Sequence, residues 1–262
     1  DSYSFNFDAA SGDYIQTTSN SLFNGLTAFS VSCWIKRNGT QQSHAAVLSY
    51  QTSTSQYLKL NFNTYTDKIE MAIRPGTTSV VKVTSSAGSI PDGEWVHVAV
   101  VGDANNLSNL NMYINGVLDN DVTSGNITTL AQSSDIHIGT DAGNPSAREF
   151  NGKISNVSIF NEALTSTQVM KLYSNGMPQD LTTFTPAPVA WWTLGSNSFF
   201  NGTNFICKDL IGSNDGTSVN AGVDALQGNT PRSEANGTGT NQSIPENLVG
   251  TTKYSSNNSW SI

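Results

Sequence analysis

Residues 93 to 119 read GEWVHVAVVGDANNLSNLNMYINGVLD. Apolar Leu110, Met112 and Ile114 alternate there with Asn111, Tyr113 and Asn115. That period of two belongs to an antiparallel strand with one buried and one wet face. Asn115-Gly116 then supplies the positive φ of a tight type I′ turn. The stretch predicts two strands with a buried face closed by that hairpin turn, and hence an all-β chain.

The flanking sequence keeps the rhythm. SFNFD over 4–8 alternates, FSVSCWIK over 29–36 makes a longer strand, and further strands are expected at Ala46 to Tyr50, Tyr57 to Phe62, Ile69 to Ile73 and Val80 to Val83. Pro75-Gly76 and Pro91-Asp92-Gly93 mark turns through their fixed or positive φ. Short strands and turn signals at regular spacing are what a jelly-roll sandwich requires. One short helix is expected: Thr165 is placed to cap it with Gln168 three residues on, and Gly176 and Pro178 stop it after Val169, Leu172 and Tyr173.

Composition narrows the class. Charged residues make up 12% of the chain, and Asn, Ser, Thr and Gly fill the space between apolar runs, as exposed strands and loops demand. The apolar share of 37% is low but periodic, so a core forms. A length of 262 residues suits one large sandwich with an extension or two small domains. The net charge of −8, with no basic cluster longer than Lys36-Arg37, argues against nucleic acid as a partner. No run approaches the roughly 20 apolar residues of a spanning helix, so no membrane insertion is expected. The first residues carry no charged-then-apolar leader, so no signal peptide is read from this start. Cys33 and Cys207 both sit in apolar runs and are expected in the core; spacing gives no Cα distance, so a bridge between them stays open. Neither lies in a CxxC arrangement, which leaves thiol metal or redox chemistry without support.

Several motifs together resemble a known family. Gly93-x-Trp95-x-His97-x-Ala99-x-Val101, a short loop and then Tyr113-Ile-Asn-Gly116 resemble the centre of a laminin G-like or pentraxin-like domain of the concanavalin A-like superfamily. Phe5-Asn-Phe7-Asp8 with Asp13-Tyr-Ile15 is similar to the family's Phe-Asp-Gly-x-x-Asp-Tyr-Ile opening, with a longer loop. FNGKISNVSIFNEAL over 150–164 is similar to its closing Gly-x-Ile-x-x-Val-x-Ile-Tyr-x-x-Ala-Leu-Ser. The resemblance covers residues 3 to 178 in family order. It implies a concanavalin A-like jelly-roll β-sandwich over residues 1–180, with one short helix and a C-terminal β and loop extension. VAWWTLG from 189 and DLIGSNDGTSVN over 209–220 resemble the lead-in that normally precedes such a domain, yet here they follow it. KYSSNNSWSI over 253–262 likewise resembles the opening of the chain. Two arrangements stay open. Residues 181–228 complete their own sandwich, which adjacency of connections favours for 189–220, or they pair with a neighbouring copy, and for the polar tail 229–262 the same two arrangements stay open.

The superfamily includes β-glucanases, which work with two or three carboxylates on one strand face. No Glu-x-Asp-x-Glu run is present, and Asp67 and Glu70, three apart, point to opposite faces of a strand. His44, His97 and His137 lie in separate strands or loops, and His97 is expected to satisfy a structural hydrogen bond. No enzyme is expected. Relatives commonly hold calcium, for which Asp8 and Asp13 in the first loop are the candidate ligands, with turn formation as their competing role; Ser155-Asn156 replaces the acidic residue of the closing motif. For glycan binding the candidates are Trp34, Tyr57 and Tyr65, with Asn63 and Arg74 as companions, and packing in the second sheet layer competes for Trp34. In style the chain is similar to laminin G-like proteins of marine bacteriophages and bacteria. That resemblance implies a non-catalytic surface or virion structural protein that adheres to a glycan or receptor. The alternative is a capsid or tail decoration protein without sugar binding, and third comes a polysaccharide-active enzyme. The implied partners are a glycan or cell-surface receptor and further copies or neighbouring subunits, at a virion or cell surface.

Overall fold

Period-two alternation, repeated along the chain, builds two antiparallel sheets packed face to face. The computed structural model describes residues 3–64, 67–76, 79–106 and 110–231. Strands are numbered in chain order: β1 Ser4–Phe7, β2 Tyr14–Thr17, β3 Ala28–Arg37, β4 Ala46–Ser53, β5 Gln56–Asn61, β6 Glu70–Pro75, β7 Val81–Thr84, β8 Val96–Asp103 and β9 Leu110–Ile114. They continue as β10 Val117–Leu118, β11 Val122–Ser124, β12 His137–Ile138, β13 Gly152–Phe160, β14 Ala190–Trp192, β15 Ser198–Phe200, β16 Phe205–Cys207, β17 Gly216–Val219 and β18 Leu226–Gln227. The smaller sheet runs β10-β9-β8-β3-β13-β1-β18, with β14 also paired to β13. The larger runs β11-β7-β6-β5-β4-β12-β2-β17-β16-β15.

Between the sheets lies one core, with Phe5, Phe23, Tyr50, Phe62, Phe150 and Trp192 among its fully buried side chains. Leu110 and Met112 point into it as the alternation predicts. Asn115 and Gly116 both take positive φ, 49° and 80°, and form the tight turn. The turn returns β9 onto β10, where Val117 faces Ile114; β8 meets β9 through the longer loop between Asp103 and Leu110. Tyr113 corrects the expectation of a wet face. It is 8% exposed, because α1 (Ser166–Tyr173) and its flanks cover this side of the smaller sheet in a second apolar cluster with Val169, Leu172 and Trp191.

The helix starts where its local signals place it. Thr165 Oγ1 accepts the Gln168 N–H and Gln168 Oε1 accepts the Thr165 N–H, a closed capping box. It ends on Ser174 in the left-handed region, φ 43°.

Residues 189–227 pair with strands of the sandwich they follow. β14 lies against β13, β17 against β2 and β18 against β1. Ser155 and Asn156 sit at a bulge in β13 and anchor the first of these: the Asn156 N–H donates to Thr193 O, and the Trp191 indole N–H donates to Asn156 Oδ1. Asp209 organises the following loop, its carboxylate accepting the N–H groups of Trp191, Ile211, Gly212 and Asn214. Burial pushes its pKa up, but these donors together hold it below the ordinary carboxylate range. Cys33 and Cys207 are free, buried thiols, each pushed up to about 12 by burial. Residues 232–262, with the 253–262 motif, lie outside the described residues.

Candidate functional site

Strand alternation fixes which side chains leave the core of the larger sheet. Ile15, Ile138, Leu58, Leu60, Met71 and Ile73 point inward. Their neighbours Tyr14, Gln16, His137, Tyr57, Lys59 and Arg74 therefore point outward. Register lines these up across strands: Thr217 faces Gln16, Gln16 faces His137, His137 faces Ser49, Ser49 faces Lys59, and Lys59 faces Ala72. A single transverse row thus crosses six strands on the outer face of the sheet.

Two clefts open along this face on its β17 side. One, of 370 Å³, is lined by Gln16, Thr18, Asp135, Asn204 and Thr217. The other, of 440 Å³, is lined by Ser11, Tyr14, Gln42, Ser146 and Glu149. Val219 and Asn220 line both, so the clefts adjoin. Each falls within the roughly 300–1,000 Å³ of small-ligand pockets. The Tyr14 ring stacks on the His137 imidazole, centroids 5.0 Å apart at 20°. The Gln16 amide donates to Asp135 Oδ2 at 2.9 Å, and the Asn220 amide to Gly12 O at 3.1 Å. His137 is pushed by burial below the ordinary imidazole range, against the pull of Asp135 and Asp141, and stays neutral near neutral pH.

Across His137 the same face becomes charged. Asp141 is fully buried, with Lys59 Nζ 2.8 Å from its Oδ1 and Arg148 Nη1 2.7 Å from its Oδ2. Burial pushes its carboxyl up; the bonded Lys59 and Arg148 outweigh this and hold it below the ordinary range. Lys59 Nζ also lies 4.7 Å from the centroid of the Tyr57 ring. Glu70, buried in the same face, faces Lys82 at 3.8 Å and accepts the Asn63 amide at 3.1 Å.

Of the glycan candidates, Tyr57 and Arg74 are direct cross-strand partners, whereas Asn63 bonds Glu70 beyond the opposite end of β5 and does not join them. Trp34 does not join this group. It belongs to the smaller sheet, is 3% exposed, and packs between His97 and Tyr173 at 5.1 and 5.8 Å, because the helix closes over that face. Tyr65 lies outside the described residues. Asp8 and Asp13 behave as turn residues: Asp8 Oδ1 accepts the Ala10 N–H, Asp8 Oδ2 the Ser11 hydroxyl and Asp13 Oδ2 the Asp8 N–H. Asp13 Oδ1 alone is left, buried without a partner. Calcium takes about six to eight oxygens, and no group of three or more His, Cys, Asp or Glu suited to a metal occurs among the described residues. The sequence does not nominate the cleft residues Tyr14, Gln16, Asp135, Thr217 and Asn220. Alternation around Ile15 marks Gln16 as outward, but nothing in the sequence gives the register that brings β17 beside it.

A family model described as the Concanavalin A-like lectin/glucanases superfamily matches residues 9–170. Among solved structures, the chain is similar to a protein of Bacteroides ovatus described as carbohydrate binding. The TM-score is 0.60 at 17% identity, covering 83% of this chain and 58% of that one. It is also similar to the heptameric SAP-like pentraxin of Limulus polyphemus, with a TM-score of 0.52 at 14% identity, covering 79% of this chain and 92% of that one. At these identities the likeness shows the fold. No curated protein matches the sequence.

Proposed function

Because this chain belongs to the Concanavalin A-like lectin/glucanases superfamily, we propose that it is a non-catalytic protein that binds a glycan along the outer face of its larger sheet. The observation that carries the reading is the pair of adjoining clefts: the Tyr14 ring lines one with Gln42 and Asn220, and the amides and hydroxyls of Gln16, Asn204, Thr217 and Asn220 line the other. Aromatic rings stack on the apolar faces of sugars, and amides and hydroxyls exchange hydrogen bonds with sugar hydroxyls. The carbohydrate-binding description of the Bacteroides ovatus protein supports the same reading. A glycan array followed by titration calorimetry tests it. Tyr14→Ala is expected to weaken the best glycan at least tenfold with an unchanged circular dichroism spectrum; equal affinity in the two proteins would place binding elsewhere. Binding is expected to survive EDTA, since Asp8 and Asp13 engage three of their four carboxylate oxygens in turn hydrogen bonds.

Assembly is the second reading, with a virion or cell surface as the setting and further copies or neighbouring subunits as partners. Phe199 and Phe200, 50% and 39% exposed, sit on β15, the outermost strand of the larger sheet among the described residues. An open edge with apolar side chains is a template for pairing. Light scattering tests this reading: Phe199→Ser is expected to turn an oligomer into a monomer if β15 joins copies.

A further inference from the structure

The charged half of the outer face carries an inference that rests on the glycan reading and narrows it. Lys59, Arg74, Lys82 and Arg148 gather there, four of the twelve Lys and Arg in a chain of net charge −8. Among the described residues two carboxylates bond them, and both lie beneath the surface: the Asp141 side chain is 0% exposed and that of Glu70 5%. The cations reach further out, with side-chain exposures of 34% for Arg148 and 35% for Lys82. Lys59, at 12%, is held between Asp141 and the Tyr57 ring. Lys68 and Asp121 form a separate pair at the β11 rim.

A buried carboxylate that bonds two cations fixes their positions and still leaves one positive charge uncompensated. The surface offered to a ligand is therefore positive, with a guanidinium among its donors, the geometry that suits carboxylate and sulfate oxygens. From β2 to β7 there are five strand steps of about 4.8 Å, or roughly 24 Å. A single sugar in the clefts does not span that distance, whereas a chain lying across the strands does.

We propose that the ligand is an acidic polysaccharide. Its uncharged ring faces and hydroxyls lie in the clefts around Tyr14, and its anionic groups are received by Arg148, Lys82 and Arg74, with Lys59 positioned by Asp141. The shared chemistry is an anionic oxygen, from a uronate or a sulfate ester.

Two polymer pairs that differ only in charge test this: polygalacturonate against its fully methyl-esterified form, and dextran sulfate against dextran. Titrations of the full chain run at 0.15 M and 1 M NaCl. At least one charged member is expected to bind tenfold or more tightly than its neutral counterpart. That gap should shrink at 1 M salt, where the screening length falls to about 3 Å. The first pair reports a carboxylate ligand and the second a sulfate. Lys82→Gln with Arg148→Gln should lower affinity for the charged polymer at least tenfold and leave neutral polymers unaffected; Lys82→Gln alone, which spares the Asp141 bonds, should give part of that loss. Tyr14→Ala should weaken both members of a pair. Neutral polymers binding as tightly as charged ones overturns the acidic ligand and leaves the glycan reading standing. Binding of neither class overturns both.

Discussion

At the residue scale, His97 shows how a motif residue can be structural. Its Nε2 lies 2.8 Å from Ser32 Oγ, and its Nδ1 is buried without a partner. A bare nitrogen costs less there than an unpaired N–H, so the proton sits on Nε2 and is donated to Ser32. Burial pushes the imidazole pKa down to about 3 from 6.5. Between those values the unfolded chain takes up a proton that the folded chain refuses, so His97 removes stability as pH falls through that window. From pH 7 to pH 5 the loss from this one group amounts to about 2 kcal/mol. His97→Gln keeps an N–H toward Ser32 and removes the titration, so urea unfolding at the two pH values should show a visibly smaller drop for the variant. His44 and His137 are also shifted down by burial, but they remain in both proteins. An equal drop would show that His97 titrates normally when folded. The structural hydrogen bond of His97 was legible from its place in the motif. Its extreme burial was not, because that depends on Trp34 and on Tyr173 arriving from the helix.

At the element scale, the legible parts are those whose signals are local. The helix and the Asn115-Gly116 turn are each specified within a few residues, by a reciprocal cap and by positive φ. The cleft wall is not local: β2 and β17 come from distant parts of the chain, and only their pairing sets Gln16 beside Thr217. The loop that leads into β17 depends on Asp209, whose two oxygens accept four backbone N–H groups and the Asn214 amide. In Asp209→Asn one of those oxygens becomes a donor facing other donors. The loss is expected to be roughly 1–3 kcal/mol at pH 7, read as a lower urea midpoint. The folded carboxyl titrates below its ordinary value, so its contribution is complete above the unfolded pKa and is lost as pH falls through the folded one. The gap between Asp209→Asn and the parent should therefore narrow in acid, and a gap that widened would contradict the ion-centred loop.

At the scale of the whole molecule, the family match over 9–170 stops short of strands that the core cannot do without. Trp192 is fully buried, Leu194, Phe205 and Cys207 nearly so, and the Phe205 ring meets Phe5 of β1 edge-on at 5.5 Å. Removing one such aromatic costs roughly 3–5 kcal/mol, a large part of the 5–15 kcal/mol or so that holds a domain together. Residues 1–180 alone would lack Trp192, Leu194, Phe205 and Cys207, leave the β2 edge unpaired and lose the Thr217 and Val219 wall of the clefts. That fragment is expected to bind a hydrophobic dye, give a weak near-ultraviolet dichroism spectrum and unfold without a cooperative transition. Co-expression with residues 181–262 should restore both the transition and glycan binding, because β14 and β17 dock on β13 and β2 through ordinary antiparallel pairing. A fragment 1–180 that unfolds cooperatively and binds the same glycan would mean that the site is complete without β17. The ligand would then have to lie on the charged side of His137, around Tyr57 and Arg148, and the clefts would be features of the sheet edge with no part in binding.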